Sequence, residues 1–196
     1  MSKTVEFFFD LGSPASYLAW TQLPALCERH DAQLVYRPML LGGVFQATGN
    51  ASPVTVPAKA RHVFVDLQRY AKRYGVTLAF PPGFPINTLN LMRATTAVQV
   101  FQPERLQAFL AAVFPALWEQ QRNLGDLGEL AAVLQQVGFD PEQIQAWCAD
   151  AQVKEALKAT TEEAVRRGVF GAPTCFVGEQ MFFGQDRLEF VAEALE

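Results

Sequence analysis

Two serines three residues apart, Ser13 and Ser16, stand in the stretch Asp10-Leu11-Gly12-Ser13-Pro14-Ala15-Ser16-Tyr17. A serine followed by proline at the head of an apolar-periodic run reads as an N-cap and the first residue of a helix, because proline's missing N–H would have no intrahelical partner there. The turn therefore directs a hydroxyl, unpaired backbone N–H groups and the positive end of a helix dipole at one spot. Such a spot favours an anion. Capping alone is the plain alternative for Ser13. A second turn, Phe183-Gly184-Gln185-Asp186-Arg187, offers amides and a carboxylate suited to the zwitterionic head of an amino acid, with Asp186 also readable as an N-cap. Asn87 and Arg93 follow the proline-rich run 80–85. Asn87 doubles as a helix cap, and Arg93 as a surface cation. Lys59 lies among the charges of another predicted helix. Tyr17, Trp20, Phe45, Phe64, Phe84 and Trp118 are either walls for an aromatic substrate or, at helical spacing, core residues.

The elements that must position these groups alternate early and late in the chain. Residues 4–10 read as a buried strand and 14–26 as a helix, and 32–38 read as a second strand ending at Pro38, a βαβ unit that closes right-handed onto a parallel pair. Residues 39–57, rich in Gly, Ser, Thr and Pro, read as a long loop beside Ser13. From Pro57 to about Arg167 the pattern is helical, over 58–74, 88–101, 103–121, 127–137, 141–149 and 151–167, with Asp126, Asp140 and Asp150 as start signals. Strand 171–177, a turn at Gly178-Glu179-Gln180 and strand 181–183 form a hairpin, and a last helix opens at Asp186.

A strand, a turn and X-Pro-X-X opening a helix is how thioredoxin-like proteins present Cys-X-X-Cys. Here serines occupy both cysteine positions, so the scaffold looks thioredoxin-like without its redox pair. The class is α/β. A discontinuous thioredoxin-like unit, 1–40 and 168–196, is interrupted by a connecting loop and an all-helical insertion, 41–167. In that scaffold the Ala172-Pro173 bond is cis, and the backbone of Ala172 pairs with a peptide-like ligand. A ligand reaching from Asp186 past Ala172 to Ser13 has the shape of glutathione.

At 196 residues, half of them hydrophobic and sixteen of them Phe, the chain suits one domain carrying an insertion. A formal charge of −4 gives no basic footprint for nucleic acid. No stretch approaches the ~20 apolar residues of a membrane span. Met1-Ser2-Lys3-Thr4 leads straight into a strand without a secretory leader, so a cytoplasmic location is expected. Cys27, Cys148 and Cys175 are an odd number at wide spacing without a Cys-X-X-Cys, and with only His30 and His62 besides them the sequence forms no Cys/His metal cluster, so neither a disulfide nor a metal is expected.

Five segments in order along the chain carry a family resemblance. They are 9–19 around Ser13-Pro14, Arg37-Pro38 with 40–45, 84–88 with Arg93-Ala94, Gly168-Val169-Phe170-Gly171-Ala172-Pro173-Thr174, and 183–188. Together they resemble the 2-hydroxychromene-2-carboxylate isomerases, relatives of the kappa-class glutathione transferases and, more distantly, of the DsbA-type oxidoreductases. The resemblance implies a glutathione-dependent homodimer acting on a small aromatic chromene carboxylate or 2-oxo acid. It implies Ser13 as the catalytic residue, and glutathione held by Ser13, Ala172, Pro173, Phe183, Gly184, Gln185, Asp186, Asn50 and Lys59. Asn87, Tyr17 and Phe45 fall on the substrate side. Two other readings use the same residues, a kappa-like transferase or peroxidase releasing a conjugate and a thioredoxin-like binding module without catalysis. Disulfide exchange is disfavoured because serine cannot perform it.

Overall fold

The first strand, β1 (Thr4–Phe9), alternates its side chains between two buried faces, so every residue of Phe7-Phe8-Phe9 is enclosed. The computed structural model describes residues 3–196; Met1 and Ser2, read above as leading straight into this strand, lie outside them. Helix α1 (Pro14–Arg29) returns the chain to β2 (Gln33–Pro38), which pairs parallel with β1 from Thr4↔Gln33 to Phe9↔Pro38. At the other end of the sequence, β3 (Thr174–Val177) and β4 (Gln180–Phe183) form a hairpin whose first strand lies antiparallel to β1. The resulting sheet has the order β2-β1-β3-β4.

Seven helices lie between β2 and β3: α2 (Leu41–Thr48), α3 (Pro57–Tyr74), α4 (Leu89–Phe101), α5 (Leu106–Trp118), α6 (Leu127–Gln136), α7 (Pro141–Ala149) and α8 (Ala151–Arg166). The chain closes with α9 (Leu188–Ala194). The predicted aspartate caps all function as caps, since Asp126, Asp140 and Asp150 each accept backbone N–H bonds from the first turns of α6, α7 and α8.

The larger core joins Val5, Phe7 and Phe9 on one face of β1 to α1 and to the helices of the insertion, so the sheet and the inserted helices share one hydrophobic interior. The other face carries Phe8 and Phe176 against Met39, Val44, Ala164 and Val169, beneath α2 and α8. Along that face Glu6 and Glu163 are bridged by Arg37 and Arg167, and the Arg167 guanidinium sits 3.8 Å over the Phe176 ring.

One element differs from expectation. Nearly half of the segment 39–57 is helix α2 rather than loop. Leu41, Val44, Phe45 and Thr48 fall at helical spacing, and Gly49, at φ 73°, supplies the left-handed C-cap. Gly42 and Gly43 obscure the pattern because glycine costs about 1 kcal/mol in a helix interior. Packing overrides that cost: a Cβ on Gly43 would lie 3.2 Å from Thr161 of α8, so the glycine lets the two helices approach.

Candidate active site

The backbone N–H groups of Leu11, Gly12 and Ser13, in the turn after β1, are all held. The Leu11 N–H meets Met92 Sδ at 3.3 Å, and its carbonyl accepts from Trp118 Nε1 at 2.9 Å. Gly12 N–H donates to Asp10 Oδ1 at 2.9 Å and Ser13 N–H to the Asp10 carbonyl at 3.0 Å. Asp10 is 1 % exposed, and its second oxygen accepts from Leu41 N at 2.9 Å and Thr88 Oγ1 at 3.1 Å. One buried carboxylate thus ties the Ser13 turn to the starts of α2 and α4. Burial pushes the Asp10 pKa above the usual carboxylate range, and its three donors pull it part of the way back. In the sequence Asp10 reads only as the end of a strand; the signal that marks it is an Asp two residues before Gly12, an Asx-turn pattern.

On this turn Ser13 is the N-cap of α1, accepting the Ser16 N–H at 3.1 Å. Its own hydroxyl donates to the Ala172 carbonyl at 3.1 Å, across 159 positions of sequence. Pro14 has no N–H and the Ser16 N–H is taken, so the Ala15 amide is the first-turn donor left over. Ser16 Oγ is buried and meets no partner among the described residues.

The Ala172-Pro173 bond is cis, as expected. The Pro173 carbonyl accepts from Gly184 N at 2.9 Å, which brings the Gly184-Gln185-Asp186 turn against the same loop. The Phe183 ring lies over Gly171, where a Cβ would come within 2.7 Å of it, and contacts Phe170 with centroids 4.6 Å apart. Gly184 lies at φ 103°, and a Cβ there would also meet the Asp186 carboxylate, which folds back over it. Gly184 rather than Asp186 caps the short turn into α9, and Asp186 pairs instead with Arg187 at 2.7 Å. Tyr74, on α3, donates to the Gln185 carbonyl at 2.7 Å. Burial, with Tyr70 and Asp186 nearby, pushes its pKa to about 12, so it stays a donor.

The remaining expected residues are placed less uniformly. Asn50 Nδ2 donates to the Phe170 carbonyl at 2.7 Å, pinning the segment after α2 to the approach of the Pro173 loop. Asn87 is exposed and accepts from Leu89 N at 3.0 Å, a capping contact. It stands beside Thr88, whose methyl lies where a Cβ of Gly12 would be, so the Ser13 turn is directly adjacent. Lys59 is exposed on the first turn of α3 and, among the described residues, makes no hydrogen bond or ion pair that would tie it to the others. Phe45 is half-buried on α2.

Tyr17, expected on a substrate wall, is fully buried. Its ring packs on Trp20 and Phe114 and its hydroxyl donates to Glu119 Oε1 at 2.7 Å, because the helical spacing that placed it near Ser13 turns it into the core. Trp118 is also interior, but Phe64, Phe80 and Phe84 form a half-buried aromatic cluster on it, with Phe64 and Phe80 centroids 4.7 Å apart. Since Trp118 holds the Leu11 carbonyl, this cluster adjoins the Ser13 turn. Phe80 was not among the candidates.

The arrangement offers a hydroxyl at a helix N-terminus, a backbone edge at Ala172 and a carboxylate at Asp186. The chain supplies no ready thiolate of its own: burial pushes the Cys27 and Cys148 pKa values to about 11 and that of Cys175 higher still.

The fold is that of a thioredoxin-like domain, and the turn from β1 into α1 carries serine. The chain belongs to the DsbA-like thioredoxin domain family, whose model matches residues 4–196. Its relatives include 2-hydroxychromene-2-carboxylate isomerase of Sphingobium xenophagum, 33% identical over all of this chain and 99% of that protein. Glutathione S-transferase kappa 1 of Homo sapiens is 31% identical over all of this chain and 92% of its own length. A solved structure of a 2-hydroxychromene-2-carboxylate isomerase superposes with a TM-score of 0.88 at 29% identity, covering 98% of this chain and 94% of that one. A probable DsbA oxidoreductase from Streptomyces coelicolor, TM-score 0.74 at 19% identity, shares the fold. The described residues contain no helix long and apolar enough to cross a membrane.

Proposed function

We propose that the chain is a glutathione-dependent isomerase interconverting 2-hydroxychromene-2-carboxylate and trans-o-hydroxybenzylidenepyruvate. The observation that carries this reading is the hydrogen bond from Ser13 Oγ to the Ala172 carbonyl, which sets a hydroxyl at a helix N-terminus beside the backbone edge preceding Pro173. The end-to-end similarity to proteins named for that activity supports it. Glutathione, when bound, supplies the thiol nucleophile for reversible addition to a conjugated double bond, with no net consumption.

The chain's own residues make that chemistry accessible at neutral pH. A free thiol has a reference pKa near ~8.5, and a hydroxyl donor together with a helix N-terminus lowers it. Ser13 turns its hydroxyl from Ala172 to the sulfur, and the Ala15 amide adds positive potential from the first turn of α1. The Ala172 backbone pairs with the tripeptide, Asp186 faces its ammonium group, and Lys59 and Asn50 face a carboxylate. Phe183, Gly184 and Gln185 shape the head subsite beside Pro173. Asn87 and Phe45, with the Phe64-Phe80-Phe84 cluster, orient the aromatic substrate. Tyr17 has no part in this. The same reading makes the protein a cytoplasmic homodimer.

The test follows the absorbance of 2-hydroxychromene-2-carboxylate with enzyme, with and without glutathione, and assays free thiol at the end. Glutathione-dependent equilibration with thiol unchanged, impaired by Ser13→Ala, is the expected outcome. Similarity to a glutathione S-transferase over the whole chain favours a second reading, conjugation of another electrophile. Stoichiometric loss of thiol would establish that reading in place of the first.

A further inference from the structure

Helices α2, α4 and α8 enclose a groove of about 640 Å3 that contains neither Ser13 nor any group of its turn. Its floor is apolar, built from Leu40, Leu89, Leu157 and Val165. Its rim carries four cations, Arg93, Lys154, Lys158 and Arg166, against a single carboxylate, Glu162. Lys158 is shared between Glu155 and Glu162 at 3.7 and 3.9 Å. The side chains of Arg93, Lys154 and Arg166 make no ion pair or hydrogen bond among the described residues.

The sequence of α8 produces this arrangement. Positions 154, 158, 162 and 166 fall four apart in one row along the helix, beside a second row at 157, 161 and 165. A row of three cations and one carboxylate, Lys154, Lys158, Glu162 and Arg166, therefore runs alongside Leu157, Thr161 and Val165, and Arg93 faces it from α4. The whole chain carries more acidic than basic residues and a net charge of −4, so the concentration of positive charge here does not follow from composition. Side chains that merely shaded the apolar floor would need no common sign. Three unpartnered cations around an apolar floor of this size match a small molecule with an apolar body and an anionic end. The planar guanidinium of Arg93 matches a carboxylate in particular.

We propose that this groove binds a small amphipathic carboxylate, an arene or branched acyl chain bearing one anionic end, at a site separate from that of Ser13. The test titrates the full chain, uniformly labelled with 15N, with 2-naphthoate, its neutral counterpart 2-naphthamide, and sulfate, each with and without glutathione. Amide shifts map the site, and calorimetry gives the affinity.

The naphthoate shifts are expected on Gly43, Ala47, Leu89 and Thr161 whether or not glutathione is present. The amide and sulfate should each bind about tenfold more weakly. The triple variant Arg93→Ala, Lys154→Ala, Arg166→Ala should lose about tenfold in naphthoate affinity, while the control Arg29→Ala, Arg61→Ala, Lys72→Ala keeps the parent value. Naphthoate shifts confined to the Ser13 turn, equal binding of the amide or of sulfate, or undiminished affinity in the triple variant would each overturn the proposal. The parent-chain map stands even where a variant folds poorly.

Discussion

Replacing Asp10 by asparagine tests whether one buried side chain holds the Ser13 turn. The carboxylate accepts from Gly12 N, Leu41 N and Thr88 Oγ1, at 2.9, 2.9 and 3.1 Å. An asparagine has one acceptor oxygen, so its NH2 must face either Gly12 N or the pair from Leu41 and Thr88. The Thr88 hydroxyl can rotate to accept, but a backbone N–H cannot, and either orientation leaves one buried amide without a partner. An orphaned buried amide costs about 1–3 kcal/mol and a lost hydrogen bond about 1 kcal/mol, partly offset by removing a desolvated charge. The net expectation is a loss of about 2 kcal/mol, a fall in Tm of about 4–8 °C for a chain this long. Thermal unfolding followed by circular dichroism, with urea titration for the free energy, measures it.

The pH dependence of that loss is also set. Because burial raises the folded-state pKa above the ordinary 3.8, the folded protein binds the Asp10 proton more tightly than the unfolded chain does. Stability from this group is therefore complete below pH 3.8 and is lost as pH rises through the folded pKa. Asparagine does not titrate, so the gap between parent and Asp10→Asn narrows from acid towards alkaline pH. A gap that widens with pH, or a Tm within about 1 °C of the parent at all pH values, would refute the reasoning.

On the proposed function, Ser13→Ala removes the donor to the thiolate and should lower kcat/KM for glutathione-dependent isomerisation by about 10²–10³, with loss of the α1 cap costing about 1 kcal/mol in urea unfolding. Tyr17→Phe should cost about 1 kcal/mol in stability by removing the bond to Glu119, with steady-state kinetics showing kcat and KM unchanged. Gly184→Ala, at φ 103° and against the Asp186 carboxylate, should cost about 1–3 kcal/mol and weaken glutathione binding measured by calorimetry. Asn50→Ala frees the segment after α2 from Phe170; glutathione affinity should fall while Tm shifts by no more than about 2 °C.

What the sequence by itself determined lies within a few residues of its own signals. Ser13-Pro14 capping α1, the aspartate caps of α6 to α8, the βαβ opening and the β3–β4 hairpin all follow from turn chemistry, capping and periodicity. These interactions join neighbours in the chain, so neighbours suffice to reveal them. The order of the five motif segments added where Ser13, Ala172 and Asp186 belong in a scaffold.

Tertiary structure decided the rest. Helix α2 forms over a Gly-Gly pair because α8 accepts its close approach, a contact between positions 43 and 161. Tyr17 turns inward because Phe114 and Glu119 receive it, and Asn87 spends its oxygen on the start of α4. Asp10 became the anchor of the Ser13 turn only when Leu41 and Thr88 arrived beside it, and Ser13 met the Ala172 carbonyl only when the sheet closed. A buried polar group takes the partners that packing brings within about 3 Å, and those partners are set by the arrangement of whole elements rather than by local sequence.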